Sequence, residues 1–386
     1  MRTFPGRNGT FGFVREHSRH VRLCVVLLVC VSVGVGLSGC GLPGYYGHLI
    51  SGHTDLMRAR QPVADVVASA ATPEPIRHKL VLSEQLREFA QAQLQLPVDD
   101  AYSEYVTLDR DWATWNLFAA PPLSLSPKQW CYPVVGCASY RGYFDQARAE
   151  RDAQKLRDKG FEVYASGAIA YSTLGWFDDP ITTPMLAGSD AWFTELLFHE
   201  LVHRRFYLKG DTRFNESLAT AVAREGVRRW LVRNRATGDE VADQLSHDQS
   251  LTDAQDSMVR RDAAREHVLA LVDETREMLM SLYQSEQTDS VKMALRDEMR
   301  ADLRQAFSLA LAGNPDLAGY RNWFDGPLNN AQLNTFADYE GWVAAFDVML
   351  SGCDGEWPCF WQKVEQIAAL PAEQRTAALQ SYAWHR

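Results

Sequence analysis

The stretch HELVHRRFYLKGDTRFNESLA, residues 199–219, contains the side chains whose types and spacing are best suited to chemistry. On a helix, His199 and His203 lie on one face one turn apart, so both imidazoles can bind a single Zn2+ ion. Glu200 is offset by one residue and can act as the general base that takes a proton from a zinc-activated water. A catalytic zinc usually has three protein ligands. Glu216 is the best candidate for the third ligand, and Asp211 is the second choice.

Two predicted helices must position these side chains. Residues 190–208 predict a helix that begins with Asp190 as its N-cap and ends before Gly210, which permits the chain to reverse. Asn215 is predicted to cap a second helix to about residue 234, with Glu216 on its first turn. We expect the first helix to be buried, because it is rich in apolar residues, and buried histidines beside a glutamate need a metal or a network. The alternative is a solvated helix with charge pairs four residues apart.

The rest of the chain predicts an α+β fold that is predominantly helical. Hydrophobic periodicity predicts helices over residues 41–60, 78–95, 144–159 and 337–350, and two antiparallel helices over residues 251–312. Residues 161–173 predict one or two strands of a small sheet that precedes the motif helix. We therefore expect a single domain over residues 40–386, with a helical C-terminal part from about residue 235 to residue 386.

The first 39 residues are typical of a secretory signal peptide. Arg15, Arg19 and Arg22 precede the apolar run LCVVLLVCVSVGVGLSGC, which is short and glycine-rich for a membrane-spanning helix. The ending LSGC resembles the lipobox of bacterial lipoproteins, which implies that Cys40 is acylated and anchors the chain in a membrane. By the same resemblance, Gly41 after the cysteine favours the outer membrane, with the protein facing the periplasm. An uncleaved N-terminal anchor is the alternative.

Charge and cysteine content agree with an exported protein. The net charge is −10, and removal of residues 1–39 makes it about −14, so we expect no nucleic-acid partner. Two C-x5-C pairs remain after the signal and Cys40 are set aside. Four cysteines allow three connectivities, and we expect the local one in an oxidising compartment, with free buried thiols as the alternative. The pairs are Cys131–Cys137 and Cys353–Cys359.

The motif resembles the gluzincin pattern of zinc aminopeptidases, in which H-E-x-x-H is followed by N-E-x-x-A. The wider sequence is similar to a family of bacterial lipoproteins described as predicted zinc aminopeptidases. This resemblance implies a zincin-like metallopeptidase domain, with His199, His203 and Glu216 as ligands and Glu200 as general base. The matching stretches are GYYGHLISGHTDLM, VVGCASYRGYFD, AYSTLGWFDDP, HELVHRRFYLKGDTRFNESLATAVAREG and LNNAQL…Y. Two features depart from the large gluzincin aminopeptidases: the spacing between His203 and Glu216 is shorter, and the G-x-M-E-N motif is absent.

Further groups are expected near the metal. In zincins an edge strand ahead of the motif helix binds the substrate backbone, and the resemblance places residues 167–172, including Ala170 and Ser172, in that role. An ordinary sheet strand is the alternative. Asp178 and Asp179 are candidates to hold a substrate ammonium, unless they only close a turn. The tetrahedral oxyanion needs a donor, and the candidates are Tyr339 and Tyr171, either of which could instead pack in the core.

The sequence thus predicts zinc-dependent hydrolysis of peptides, with an aminopeptidase as the first choice. An endopeptidase acting on envelope proteins would differ only in the shape of its cleft. A different class of function is also open: a non-catalytic lipoprotein that keeps zinc as a structural clip and binds a partner. Glu200 favours the enzyme, because a purely structural zinc site does not need it.

Overall fold

The computed structural model describes residues 42–132, 136–171, 173, 177–237 and 251–383. The predicted signal peptide and the predicted lipidation site, Cys40, lie outside the described residues. The chain divides into two compact units after Leu56. In the first unit the described residues form helix α1, which spans Leu42–Arg58 and crosses the division in its last turn. Within the described ranges, no helix combines the length and the apolar composition that spanning a membrane requires.

The second unit is α+β and mostly helical, as the sequence predicts. Its helices are α2 (Val63–Ala68), α3 (Glu74–Gln93), α4 (Gln146–Arg157), α5 (Asp190–Arg205), α6 (Thr212–Thr237), α7 (Leu251–Gln284), α8 (Asp289–Gly313), α9 (Arg321–Phe324), α10 (Asn330–Glu340), α11 (Val343–Ser351), α12 (Trp357–Ala368) and α13 (Ala372–Ala383). Short 3-10 helices span Thr183–Leu186 and Pro315–Tyr320. The strands are β1 (Gln61–Pro62), β2 (Glu104–Val106), β3 (Thr114–Ala120), β4 (Trp130–Tyr132), β5 (Gly136–Ala138), β6 (Tyr140–Tyr143), β7 (Glu162–Ala168) and β8 (Ile181–Thr182).

Three small sheets precede the motif helix or end just before it. The largest has the order β6-β3-β7 and is antiparallel throughout, with Leu117 of β3 paired to Ala165 of β7. A second sheet has the order β1-β2-β8, and its parallel pair places Val106 opposite Thr182. The third is the hairpin β4–β5. The predicted strand over residues 161–173 is therefore shorter than expected and ends at Ala168.

Two apolar clusters form the core of the second unit. The first joins α3, α5, α6, α11, α12 and α13, and Phe198 of α5 stacks on Phe89 of α3 with ring centroids 5.8 Å apart. The second joins α7, α8, α9 and α10, and Phe307 stacks on Phe324. Burial of these side chains contributes roughly 1.5–3 kcal/mol each. The motif helix α5 thus belongs to the first cluster and is buried, as the sequence predicts.

A buried ion pair ties the second cluster to the large sheet. Arg300 of α8 donates to both carboxylate oxygens of Glu162 in β7, at 2.8 and 2.7 Å. The same carboxylate accepts the backbone N–H of Asn330 at 2.7 Å, at the start of α10. Bidentate geometry pairs the two charges at a site where the side chains are 9% and 14% exposed. The sheet and the helical C-terminal part are therefore held together through β7.

Several predicted boundaries differ from the structure. The predicted helix over residues 337–350 is two helices, α10 and α11, separated at Gly341, where a Cβ would lie 2.1 Å from Arg213 Nε. The N-cap of α5 is Ser189, whose hydroxyl accepts the Trp192 N–H at 3.2 Å, and not Asp190. Asp190 instead forms an ion pair with Lys79 at 2.6 Å. Asp190 thus looks like a local helix cap in the sequence, but in the structure it pairs with a residue from a distant segment.

Both disulfides join the cysteine pairs that the sequence predicts. Cys131–Cys137 links the strands of the β4–β5 hairpin, and Cys353–Cys359 links the end of α11 to the start of α12. Each closes a short loop, so each limits the unfolded chain locally.

Candidate metal centre

Helix α5 places two histidines on one face of a buried helix. Phe193, Leu197 and Leu201 are fully buried and fix the opposite side of the helix in the first core cluster. This packing leaves His199 and His203, one turn apart, on the side that meets α6. Their ring centroids are 5.0 Å apart and the rings are nearly perpendicular.

A tightly held turn brings α6 back alongside α5. Asn215 donates to the Leu208 carbonyl at 2.8 Å, and its side-chain oxygen accepts the Leu208 N–H at 2.7 Å. Gly210 has φ of +82°, a conformation in which a side chain is strained. Asp211 caps α6 by accepting the Phe214 N–H at 3.0 Å. The predicted cap was therefore wrong: Asn215 lies inside the helix and clamps the turn.

The second-choice metal ligand has another role in the structure. Asp211 Oδ2 lies 2.9 Å from Arg375 Nε and 2.8 Å from Arg375 Nη2, so the carboxylate is held by α13. The disulfide-linked hairpin β4–β5 lies against the same turn, because a Cβ on Gly136 would approach Lys209 Cγ to 2.7 Å. The start of α6, and with it Glu216, is thus braced from two sides.

Glu216 meets both histidines. Its Oε2 lies 3.1 Å from His199 Nε2 and 3.6 Å from His203 Nε2, and one ligand atom from each residue lies within 4.8 Å of the others. Two imidazole nitrogens and one carboxylate oxygen are a donor set of catalytic zinc sites. Ligand atoms about 2.0–2.1 Å from a tetrahedral ion are roughly 3.3–3.4 Å apart. The three residues therefore fit a divalent metal ion.

The electrostatics of the cluster also favour a cation. Burial alone would raise the pKa of Glu216, but the charges of His203 and His199 and their hydrogen bonds hold it well below its usual range. Burial alone would lower the pKa of His203, yet Glu216 and Glu200 together raise it. Among the described residues, His203 Nδ1 is buried without a hydrogen-bond partner. The imidazole of His203 is thus oriented by Glu216 and by any cation that they share.

The charge of Glu200 acts on two buried residues, of which the sequence analysis identified Asp179 but not Tyr102. The charges of Glu200 and Asp179, added to burial, raise the pKa of Tyr102 well above its usual value. Burial, followed by the charge of Glu200, raises the pKa of Asp179 to about 6 even though Thr173 hydrogen bonds and Arg204 lower it. Tyr102 is far from the motif in sequence, so no local pattern could have indicated it.

The two aspartates predicted to hold a substrate ammonium have different surroundings. Asp179 is only 1% exposed, and its Oδ2 accepts the Thr173 N–H at 2.8 Å, so it faces the protein interior. Asp178 is partly exposed and lies 3.2 Å from Arg204 Nη2. The ammonium role remains a prediction for Asp178, whereas burial gives Asp179 a role inside the protein.

The remaining predicted groups have different surroundings. Tyr171 packs on Phe144, with ring centroids 4.8 Å apart, and Ala170 packs against the first core cluster. Ser172 lies outside the described residues, and so does the side chain of Tyr339, although its backbone is part of α10. Of residues 167–172, only Gly167 and Ala168 belong to β7, which is an edge strand of its sheet in the described part of the chain. Tyr207 was missed: burial, followed by the charge of Glu216, raises the pKa of its phenol, so it lies near the ligands.

Comparison with known proteins agrees with this chemistry. A family model described as “Putative aminopeptidase” matches residues 44–379, which is most of the chain and includes the whole candidate metal centre. No curated protein and no solved structure matches the chain.

Proposed function

Because the chain belongs to this aminopeptidase family, we propose that it is a zinc-dependent metallopeptidase that removes amino-terminal residues from peptides. The observation that supports this most strongly is the convergence of His199, His203 and Glu216 on one point. Glu200 lies on the same helix as both histidines, where a general base is needed. A zincin-like fold would account for small sheets that precede a helix with this motif.

The mechanism assigns separate tasks to the residues of the site. His199, His203 and Glu216 would hold the metal, and a bound zinc would polarise the scissile carbonyl and lower the pKa of water towards about 7. Glu200 accepts a proton from water and returns it to the leaving amine. The Tyr207 phenol is protonated at neutral pH, as is any tyrosine with a pKa of about 10 or above, and it could donate to the developing oxyanion.

Residues near the cleft would bind the peptide. The edge strand β7 and the residues that follow it, including Ala170 and Ser172, would pair with the substrate backbone by strand addition. Asp178 is the candidate that would hold the substrate ammonium, in competition with its ion pair to Arg204. Tyr171 and Tyr339 remain candidates for the oxyanion donor beside Tyr207.

A peptide-library digest tests the proposal. The full-length chain, purified in detergent, should shorten peptides by one residue from the amino end, and a chelator should abolish this activity until zinc is restored. Glu200→Gln should bind zinc normally and lose at least about 100-fold in kcat, because a general base typically contributes 10²–10⁴-fold. Glu84→Gln is the matched control, since Glu84 is on α3 and pairs only with Arg87 at 3.2 Å among its described ion pairs.

Two results would contradict the proposal. If Glu200→Gln cleaved peptides at the parental rate, Glu200 would be excluded as the general base. Stoichiometric zinc without chelator-sensitive turnover would favour the non-catalytic, zinc-stabilised lipoprotein instead. Cleavage inside peptides would retain the chemistry but assign an endopeptidase.

We also propose a lipid anchor at Cys40 in the outer membrane, with the enzyme facing the periplasm. Cells fed an alkyne-labelled fatty acid should label the parental chain and the control variant Cys24→Ala, whose altered residue lies inside the predicted signal. Cys40→Ala should lose the label, because no other predicted acylation site remains. Equal labelling of both variants would exclude this anchor.

A further inference from the structure

A disulfide-linked hairpin lies against the turn that leads into helix α6. Strands β4 and β5 place Cys131 directly opposite Cys137, and a disulfide joins the two. In this hairpin Gly136 has φ of +84°, and in the turn Gly210 has φ of +82°. A Cβ on Gly136 would lie 2.7 Å from Lys209 Cγ and 3.1 Å from Gly210 N, so the hairpin and the turn are in direct contact.

The same turn sets the position of the third candidate metal ligand. Leu208 exchanges two hydrogen bonds with Asn215, and Asp211 caps α6. Glu216 follows Asn215 directly, and its Oε2 lies 3.1 Å from His199 Nε2. A metal site requires ligand distances correct to about 0.2 Å. A small displacement of the turn would therefore move the Glu216 carboxylate away from the position that a shared ion requires.

The β4–β5 hairpin depends on its disulfide for a fixed shape. Within the ranges that the structure describes, it is a two-stranded sheet with three residue pairs, from Trp130–Ala138 to Tyr132–Gly136. A hairpin of two strands is marginally stable in water by itself. The disulfide closes a short loop and limits the conformations of the unpaired hairpin. Without it, one support of the turn is lost, and the ion pair between Asp211 and Arg375 remains as the other.

The two disulfides of the chain differ in their exposure to reductants. Cys131 is exposed and Cys137 is partly exposed. Cys353 is only 5% exposed, and its partner Cys359 is partly exposed. Thiol–disulfide exchange requires access of a thiolate to a sulfur atom. The disulfide beside the metal centre is therefore the one that a reductant reaches first.

We propose that the Cys131–Cys137 disulfide is a redox control of the metal centre: the oxidised hairpin holds Glu216 in place for zinc, and the reduced hairpin releases it. A dithiol reductant attacks one cysteine sulfur through its thiolate, which breaks the S–S bond and forms a mixed disulfide. Its second thiol then displaces the cysteine. Two electrons and two protons thus pass to the pair, which becomes two thiols, and the reductant becomes a disulfide. High zinc affinity would then depend on an oxidising compartment.

The zinc affinity of the full-length chain, purified in detergent, tests this proposal, which rests on the proposed zinc ligands and not on peptide hydrolysis. In a competition titration with a chelator, Cys131→Ser/Cys137→Ser should bind zinc at least about 10-fold more weakly, because supports behind a ligand typically contribute 10- to 100-fold. Serine also removes the thiols, which would themselves bind zinc. The control Cys353→Ser/Cys359→Ser should keep the parental affinity. Parental affinity in the first variant, or equal weakening in both, would overturn the proposal.

Two glycine variants test the contact while both disulfides stay intact. Gly136→Ala adds a Cβ that must displace Lys209, and it should weaken zinc binding about 10-fold. Gly160→Ala is the matched control: Gly160 has φ of +82°, and none of the described residues lies within 4 Å of the added Cβ. Both substitutions introduce similar backbone strain, so they differ in the contact with the turn. Unchanged zinc affinity in Gly136→Ala would overturn the proposal.

Hydrogen exchange of the metal-free chain provides a measurement that does not depend on zinc. Dithiothreitol should speed exchange about 10-fold at residues 207–211 and leave residues 114–120 of β3 unchanged, because only the turn loses a support. Mass spectrometry should find Cys131 alkylated before Cys353. Unchanged exchange in the turn, or alkylation of Cys353 first, would overturn the proposal. If the parental chain bound no zinc, the proposed function would fail, while hydrogen exchange would still decide whether the disulfide holds the turn.

Discussion

Replacement of Asp179 by asparagine should stabilise the protein, and by more at neutral than at acidic pH. Burial raises the pKa of Asp179 from 3.8 to about 6, so the folded state binds a proton more tightly than the unfolded state. Ionisation of this group therefore costs stability, which is lost as the pH rises from about 3.8 through 6. Asparagine removes the charge, and its side-chain oxygen can still accept the Thr173 N–H, which lies 2.8 Å from Asp179 Oδ2.

The raised pKa gives the size of the effect. A difference of roughly two pKa units corresponds to about 3 kcal/mol once the unfolded and folded groups are both ionised, near pH 7.5. At pH 5 the folded group is mostly protonated, and the penalty falls to about 1.6 kcal/mol. Asp179→Asn should thus gain about 1.4 kcal/mol on the parental chain between pH 5 and pH 7.5.

Urea unfolding of the metal-free chain at the two pH values measures this difference. The titrations of His203 and Glu216 are common to both chains, so they cancel in the comparison. The charges of Glu200 and Arg204 act on the Asp179 carboxyl, and both chains carry these two residues. A variant that is less stable than the parental chain at pH 7.5, or a stability difference that does not change with pH, would refute the reasoning.

Further predictions concern the metal ligands and the turn between the two helices. Glu216→Gln should weaken zinc binding by more than about 100-fold in a competition titration with a chelator, whereas Glu225→Gln on the same helix should not, and equal affinities would exclude Glu216 as a ligand. Zinc affinity should fall with decreasing pH, and the fall should begin above the usual histidine pKa of about 6.5, because the pKa of His203 is raised and a proton competes with the metal there. Titration calorimetry at several pH values measures this dependence, and a zinc affinity that does not change with pH would contradict it. Gly210→Ala should lower the free energy of unfolding in urea by about 1–2 kcal/mol through backbone strain alone, because a Cβ would meet only Cys137 N, at 3.9 Å. An unchanged unfolding midpoint would show that the turn relaxes.

The histidine pair illustrates what can be predicted from sequence. A spacing of four residues on an apolar helix places both rings on one face, whatever the rest of the chain does. The reversal at Gly210 makes Glu216 the natural partner, because α6 returns directly alongside α5. The local disulfides and the helices of the C-terminal part also follow from short-range patterns. These features depend on neighbours in the chain, and neighbours can be read in the sequence.

The tertiary structure decided which polar side chain does what. In the sequence, Asp211 is a candidate metal ligand and Asn215 a candidate helix cap. In the structure, Asp211 pairs with Arg375, which is distant in the chain, and Asn215 bonds to Leu208 within the turn. Tyr102 and Asp179 lie together because two separate loops meet, where the Tyr102 N–H donates to the Asp179 carbonyl at 2.8 Å. Their burial, their altered pKa values and their pairing arise from contacts between remote segments, and side-chain spacing along one segment has no physical connection to such contacts.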